Sequence, residues 1–303
     1  MSLMRPILNL WLRLTEKTHL ARVQDANSLR RAFEMKAKLF FHAPFGTKCA
    51  DSAMANIPVR SLNVGSTQGP LILYFHGGGY VFGSPRTHDA MIATLCKKAS
   101  ARAVLPDYRK APENPHPAAI EDAEAAYLAL LAEGEDPAQI VIGGDSAGGG
   151  LTLALVAVLV SKGHPLPAGA FAFSPLTDMT FSGVSVRDNA KTEVVLPASR
   201  ILDMAQVFVG DGARDDPTAS PLFAEFTGGP PIWLTVGDTE ILLSDTERLA
   251  ERLKGQGVKV DLKVEHDLPH VWQLFHNLLP EAHRSLDDVA LWIKQRTGAH
   301  SGS

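Results

Sequence analysis

The residues whose types and spacing could do chemistry begin with Gly144-Asp145-Ser146-Ala147-Gly148. A Gly-x-Ser-x-Gly pattern places a nucleophilic serine on a tight turn between a strand and a helix. Here an apolar strand is predicted over Gln139 to Ile142 and a helix over Ala147 to Val160. The Ala147 amide would then lie at a helix N-terminus, where a developing negative charge is favoured. The pattern predicts covalent catalysis by Ser146.

A glycine run lies upstream, where the predicted strand Leu71 to Phe75 leads directly into His76-Gly77-Gly78-Gly79-Tyr80. Glycines at such a point let backbone amides face an open cavity, and esterases with this motif use them to bind the oxyanion. A phosphate-binding loop is the alternative. The run lacks the following Lys-Ser/Thr and the Gly-x-Gly-x-x-Gly spacing of such loops, so we favour an oxyanion hole.

A catalytic serine needs a base, and histidine suits this role because its ordinary pKa is near working pH. Among eleven histidines, His270 follows the predicted strand Lys259 to Val264 after a short loop, with His266 and His276 as rivals. His266 and His270 have the spacing of a zinc site on a helix. Pro269 lies between them and disfavours that helix, so we predict no metal.

The acid of a serine triad is expected after the strand Ile232 to Val236. Where the serine lies in a Gly-x-Ser-x-Gly turn between a strand and a helix, the chain order of the triad is serine, acid, histidine. Asp238 and Glu240 both occur there, in Gly237-Asp238-Thr239-Glu240. Either carboxylate could orient an imidazole and stabilise its cation. The residues alone leave this choice open.

The elements that must position these residues alternate between short apolar strands and helices, which predicts a mainly parallel sheet covered by helices on both faces. Two segments fall outside the alternation, residues 1–45 and 186–216. Such additions commonly form a lid over the carboxyl ends of the strands. Further strands are predicted at Ile57 to Val64, Ala103 to Pro106 and Gly169 to Phe173, and further helices at His88 to Lys98, Ala118 to Ala132, Ser244 to Gly255 and Leu286 to Gln295.

Composition sets limits on partners and compartment. With 303 residues, 45% hydrophobic and 20% charged, the chain can bury a large core without a metal or a disulfide. A net charge of −4, without long basic runs, argues against nucleic acid as a partner. The two cysteines, Cys49 and Cys96, resemble no metal-ligand spacing and suit a reducing cytoplasm.

The N-terminal stretch Pro6 to Leu14 is apolar but too short to span a bilayer, and no small-residue cleavage site follows it. We predict an amphipathic helix whose apolar face carries Ile7, Leu10, Trp11 and Leu14 and covers other apolar groups. A membrane-surface helix is the alternative. Its polar face would be expected to be strongly basic, which it is not, so no stable membrane anchoring is predicted.

Together these motifs resemble the bacterial hormone-sensitive lipase-like carboxylesterases, family IV of the α/β-hydrolase superfamily. The resemblance covers nearly the whole chain. It rests on the glycine run, on the serine motif and on the histidine of Pro269-His270-Val271. Two longer motifs extend it, Asp107-Tyr-Arg-Lys-Ala-Pro-Glu113 and Asp216-Pro-Thr-Ala-Ser-Pro-Leu222.

The resemblance implies an α/β-hydrolase fold with a helical cap, and a serine esterase acting on short acyl esters without a cofactor. The oxyanion donors carried over are the amides of Gly77, Gly78 and Ala147. The cap would comprise residues 1–45 and 186–216, and the catalytic domain residues 46–185 and 217–303. Members often dimerise through the last strand, here Lys259 to Val264.

The chain departs from the family at the acid, where many relatives carry Asp-Pro-Leu-Arg-Asp. Counting without a gap from Pro230-Pro231 and back from His270 puts the family's aspartate on Glu240, whereas Asp238 would need a two-residue shift. We therefore predict Glu240 as the acid. Tyr80, Phe82 and residues 201–208 are candidates for lining the pocket.

Alternatives of substrate and of class stay open at this point. A lactone, an acetylated metabolite or an amide would use the same chemistry, because selectivity lies in the cap rather than in the fold. A hydrolase-like receptor that has lost catalysis would be expected to lack a triad member. Serine, histidine and two acids are all present, so we favour the enzyme.

Overall fold

The predicted parallel strands form the centre of one eight-stranded sheet in the computed structural model, which describes residues 2–65 and 69–298. The strand order is β1-β2-β4-β3-β5-β6-β7-β8; β2 is antiparallel to both of its neighbours, β1 and β4, and all other pairs are parallel. This confirms the α/β-hydrolase fold. The strands are β1 (Lys48–Met54), β2 (Ile57–Asn63), β3 (Leu71–Phe75), β4 (Arg102–Pro106), β5 (Ile140–Asp145), β6 (Gly169–Phe173), β7 (Ile232–Gly237) and β8 (Val260–Glu265).

Helices cover both faces of this sheet. One face packs against α4 and α10, and the other packs against α5 and α6, so the central strands β3, β5, β6 and β7 are buried along their whole length. The helices are α1 (Met4–Leu12), α2 (Thr18–Arg22), α3 (Ala26–Phe40), α4 (Pro85–Ala99), α5 (Ala118–Ala132), α6 (Ser146–Lys162), α7 (Ser185–Asp188), α8 (Ile201–Val209), α9 (Leu243–Gly255) and α10 (Pro280–Thr297).

The edge strand β1 was not predicted. Its sequence, Lys-Cys-Ala-Asp-Ser-Ala-Met, has no run of branched or aromatic residues, and only Met54 at its end is buried. The strand forms because it pairs over seven residues with β2, in an antiparallel ladder that begins at the turn between Met54 and Ile57. The strand therefore depends on its pairing with β2, which the spacing of its own apolar residues does not predict.

The N-terminal segment, predicted to be helical over residues 1–45, is helical over most of residues 4–40, but the predicted apolar face of its first helix is not the one that enters the core. Ile7, Leu10, Trp11 and Leu14 are 62%, 59%, 38% and 65% exposed, and Ile7 and Trp11 line a cavity, whereas Leu8 and Leu12 are buried with Trp272 and Leu279. Because α1 is apolar on both sides, the spacing of its apolar residues did not show which side contacts the core.

Polar contacts attach α1 to distant parts of the chain. The Arg5 guanidinium donates to the His266 carbonyl at 3.1 Å, and the Asn9 amide donates to the Asp267 carbonyl at 3.2 Å. The Ser2 amide donates to Glu281, on α10, at 2.6 Å. The helix is thus held beside the loop that leads to His270.

The insertion, residues 186–216, lies between β6 and β7 and carries most of α7 and all of α8. Helix α8 packs on the glycine run, where the Phe208 and Tyr80 rings stack with centroids 3.7 Å apart and planes 8° apart. Within residues 2–65 and 69–298, no helix is both long and apolar enough to cross a membrane. Cys49 is exposed and Cys96 buried, and neither forms a disulfide.

Candidate active site

Ser146 occupies a strained turn between β5 and α6. Its φ of +52° lies in the left-handed region, which costs energy for a residue with a side chain. The flanking glycines permit the turn, since a Cβ on Gly144 would lie 2.2 Å from the Gly148 oxygen and one on Gly148 would lie 2.0 Å from the Phe75 oxygen. The motif therefore projects the serine from the carboxyl end of the sheet.

A row of hydrogen bonds runs from Ser146 through His270 to Glu240. The His270 Nε2 lies 2.9 Å from the Ser146 Oγ, and its Nδ1 lies 2.6 Å from the Glu240 Oε2. The other Glu240 oxygen accepts from the Ser174 hydroxyl at 2.7 Å and from the Gly237 amide at 2.6 Å. All three side chains of the row are buried, and Glu240 is the most deeply buried of them.

The environment of His270 sets its proton affinity. Burial alone would lower the pKa of the imidazole, but the hydrogen bond and negative charge of Glu240, with the charges of Glu193 and Asp145, outweigh it. The net shift of the His270 pKa is upward. Nearby carboxylates raise this pKa because they stabilise the cationic form of the imidazole.

The rival residues make other contacts. The Asp238 carboxylate lies 2.6 Å from the His266 Nδ1 and accepts from the Asp267 amide at 2.8 Å. The His276 Nε2 lies 3.4 Å from the His42 carbonyl. His266 and His270 thus contact different carboxylates, and they lie in a turn between β8 and a 3₁₀ segment at Trp272–Phe275, not on a helix.

The glycine run does not offer all the amides that were predicted as oxyanion donors. The Gly77 amide donates to the Asp145 Oδ1 at 3.0 Å, so it is already engaged. Within the described part of the chain, the amides of Gly78 and Gly79 donate to no other group. Ala147 lies in the first turn of α6, where amides have no partner inside the helix.

Two motif residues fix the run from below. Asp145 also accepts from the Tyr74 hydroxyl at 2.8 Å. Tyr108, from the Asp107 to Glu113 motif, donates to the His76 carbonyl at 2.7 Å and stacks on its imidazole with centroids 4.4 Å apart. These contacts explain why motifs distant in sequence accompany the glycine run.

A cavity of about 670 Å³ opens above Ser146 and His270. The N-terminal segment and the insertion supply much of its wall, and the predicted Phe82 lines it while Tyr80 does not. Apolar side chains from these regions include Ile7, Trp11, Phe40, Leu196, Ile201, Met204 and Val207. The cavity is suited to a ligand with a substantial apolar part.

Comparisons with known proteins identify the family of the chain. A family model described as the alpha/beta hydrolase fold matches residues 72–274. An acetyl-hydrolase of Streptomyces hygroscopicus is 36% identical over 230 residues, covering 76% of this chain and 77% of that protein. An esterase of Acinetobacter venetianus is 32% identical, with 87% of each chain covered.

A solved esterase structure from the bacterial hormone-sensitive lipase family superposes with a TM-score of 0.93, at 35% identity and with 98% of this chain and 99% of that one covered. The chain belongs to the bacterial hormone-sensitive lipase family. Its family and its esterase relatives make it a carboxylic ester hydrolase.

Three residues around Glu240, the predicted acid, were not singled out from the sequence. The Ser174 hydroxyl contacts Glu240, and Asn189 and Glu193 contact the backbone near it. Ser174 follows β6 directly, so its place at the carboxyl end of a parallel strand was a usable signal. Asn189 and Glu193 lie in irregular chain, where no periodicity marks them.

Proposed function

We propose that this esterase hydrolyses short-chain acyl esters through Ser146, His270 and Glu240. The Ser146 hydroxyl attacks the ester carbonyl as its proton passes to the His270 Nε2, and that proton then goes to the departing alcohol oxygen. Water next attacks the acyl-enzyme with His270 again as base, which releases the acid and restores the serine. Glu240 holds the imidazole orientation and stabilises its cation.

The observation that carries the proposal is the buried row of hydrogen bonds from Ser146 to Glu240 beneath an apolar cavity. For the oxyanion we propose the amides of Gly78 and Ala147, with that of Gly79 in the place predicted for Gly77. The Gly77 amide would first have to leave Asp145. Removing a donor of this kind typically costs about 10²- to 10³-fold in kcat.

We further propose that residues 1–45 and 186–216 act as a cap over a catalytic domain of residues 46–185 and 217–303, of which residues 1, 66–68 and 299–303 lie outside the described structure. The position of β8 at a sheet edge supports a homodimer through that strand. The unpaired cysteines support the expectation of a reducing cytoplasm.

The test is hydrolysis of p-nitrophenyl esters from acetate to palmitate by wild type and Ser146→Ala. We expect turnover of the short chains by wild type, a steep decline toward palmitate, and loss of turnover in the variant. Comparable rates for palmitate and butyrate would contradict the short-chain assignment. Unchanged turnover in Ser146→Ala would contradict the nucleophile.

Labelling by a fluorophosphonate separates an enzyme from a catalytically silent receptor. We expect one equivalent of label on wild type and none on Ser146→Ala. A folded wild-type protein that takes no label and cleaves no ester would contradict the proposal. Cleavage of a lactone series in place of open-chain esters would assign the same site to a different substrate.

A further inference from the structure

A second buried carboxylate lies behind the proposed acid. Glu193, in the insertion, is 1% exposed. Its Oε1 accepts from the Val195 and Leu196 amides at 2.7 and 3.2 Å, and its Oε2 accepts from the Ile241 amide at 3.2 Å. Ile241 directly follows Glu240, so this carboxylate bridges the insertion to the backbone that carries the acid.

The same stretch of the insertion binds the rest of the acid loop, which we define as residues 238–241. The Asn189 side-chain amide donates to the Asp238 carbonyl at 2.9 Å and to the Glu240 carbonyl at 2.8 Å. The Thr192 hydroxyl donates to the Thr239 carbonyl at 3.2 Å. Each residue of the acid loop thus has a backbone group bound by Asn189, Thr192 or Glu193.

The N-terminal segment holds this stretch in turn. The Lys17 ammonium donates to the Ala190 and Glu193 carbonyls at 2.9 and 2.7 Å, and the Arg13 guanidinium donates to the Thr192 carbonyl at 3.2 Å. A buried carboxylate is costly without compensation. Three backbone amides and a nearby ammonium offset part of that cost for Glu193.

Charge couples Glu193 to the proposed triad as well. Burial raises the pKa of Glu193 and the negative charge of Glu240 raises it further, while His270 and the backbone amides act in the opposite direction. In return Glu193, with Glu240 and Asp145, raises the pKa of His270. The other charged or titratable groups that interact electrostatically with Glu193 or His270 are therefore Glu240, Asp145 and Lys17.

We propose that Glu193 is a positioning residue of the hydrolytic reaction, which fixes the acid loop so that the Glu240 carboxylate meets the His270 imidazole. The inference rests on the triad proposed above. It assigns the insertion a role in aligning the catalytic groups, in addition to lining the cavity.

The test compares Glu193→Gln with wild type in kcat and KM for p-nitrophenyl butyrate from pH 5 to 9. A glutamine has one acceptor oxygen, so it cannot serve both the Val195 side and Ile241. We expect kcat to fall about 10- to 100-fold, the range for a small misplacement of a catalytic group, with KM nearly unchanged. The acid limb of kcat/KM should move to lower pH, because a negative charge that raises the His270 pKa is lost.

Asp245→Asn is the matched control. Asp245 is also a fully buried carboxylate, and it accepts from the Thr177 and Asp178 amides at 2.9 and 3.0 Å, away from the acid loop. Asparagine keeps one acceptor oxygen for those amides. We expect this variant to retain kcat and the position of the acid limb.

The outcomes separate this inference from the proposed function. Activity in Ser146→Ala would contradict the proposed triad itself. If Ser146→Ala is inactive but Glu193→Gln has the kcat and pH profile of the wild type, only the role of Glu193 is overturned. Equal losses in Glu193→Gln and Asp245→Asn, without a shifted acid limb, would also overturn it. If Glu193→Gln does not fold, Asn189→Ala provides the test, because it removes two hydrogen bonds from the insertion to the acid loop. An unchanged kcat in Asn189→Ala would contradict the inference.

Discussion

At the scale of single residues, the carboxylate of Glu240, the proposed acid, uses both of its oxygens. One contacts the His270 imidazole, and the other is held by Ser174 and Gly237. Ser174 also accepts from the Val271 amide at 3.3 Å, so one hydroxyl joins the acid to the backbone beside the histidine. The carboxylate has little freedom to reorient, which a catalytic orienting group requires.

We expect Glu240→Gln to lower kcat by about 10³- to 10⁴-fold, because an amide can favour the wrong imidazole tautomer. Asp238→Asn should lower it less than tenfold, since Asp238 contacts His266 and Asp267 and not His270. Steady-state kinetics on a short-chain ester would measure both. A larger loss in Asp238→Asn than in Glu240→Gln would reverse the assignment.

The pH profile of the wild type follows from the surroundings of His270. As the proposed base, His270 must be neutral to accept the serine proton, and its pKa is raised in the folded protein. We therefore expect the acid limb of kcat/KM to have its midpoint above about 6.5, the ordinary value for histidine. Chromatographic detection of product keeps the ionisation of p-nitrophenol out of the measurement, and a midpoint well below 6.5 would contradict the expectation.

The sequence carried enough information to single out Ser146 and His270, because each follows a strand end in a distinctive motif. Residue chemistry did not choose between Asp238 and Glu240, which stand two positions apart after β7. Their contacts differ because the turn after Gly237 directs one carboxylate to the 266–267 loop and the other to His270. The engagement of the Gly77 amide by Asp145 is likewise a tertiary contact that no local pattern contains.

At the scale of elements, helix α8 joins the insertion to the glycine run. Phe208 and Tyr80 are both buried, and their stacked rings form a direct contact between these two parts. The Met204 side chain also approaches the run, because a Cβ on Gly79 would lie 2.7 Å from its sulfur. Packing of this kind fixes the distance between the cavity wall and the amides below it.

We expect Phe208→Ala to lower the free energy of unfolding by about 3 to 5 kcal/mol, the range for removing a buried phenylalanine. Leu202→Ala on the same helix is the control, because Leu202 is 53% exposed and its loss should change stability by less than about 0.5 kcal/mol. Urea unfolding would measure both. Similar values for the two variants would show that the stack contributes little.

The strands of the buried sheet were predictable because short, continuous apolar runs bounded by turn residues are typical of buried strands. The edge strand β1 and the buried face of α1 were not. β1 is exposed and polar and depends on pairing with β2, while α1 is apolar on both sides, so its orientation is set by the partners Trp272 and Leu279. In both cases the outcome depends on contacts with other elements and not on the local sequence pattern.

At the scale of the whole molecule, strand β8 forms one edge of the sheet. β8 bonds to β7 through the backbone of alternate residues, as the Ile232 amide donates to the Lys259 carbonyl and the Asp238 amide to the Glu265 carbonyl. By that alternation the Val264 backbone groups point away from the sheet. Val264 is 44% exposed, so this edge is accessible to a second copy.

If β8 pairs with its counterpart in a dimer, Val264→Pro should remove one outward amide and shift the protein to monomers. Light scattering after size-exclusion chromatography would measure the mass of wild type and variant at matched concentrations. A monomeric wild type would contradict the dimer. An unchanged dimer in the variant would place the interface elsewhere.

The attachment of α1 has a consequence for synthesis of the protein. Residues 2–9 are translated well before the groups that hold them, which lie at 266–267 and at Glu281. At about 5 to 20 residues per second, roughly 13 to 50 s pass before those partners emerge. During that interval Leu8 and Leu12 have no core to enter, so the helix is a candidate for capture by a chaperone while the rest of the chain is still being made.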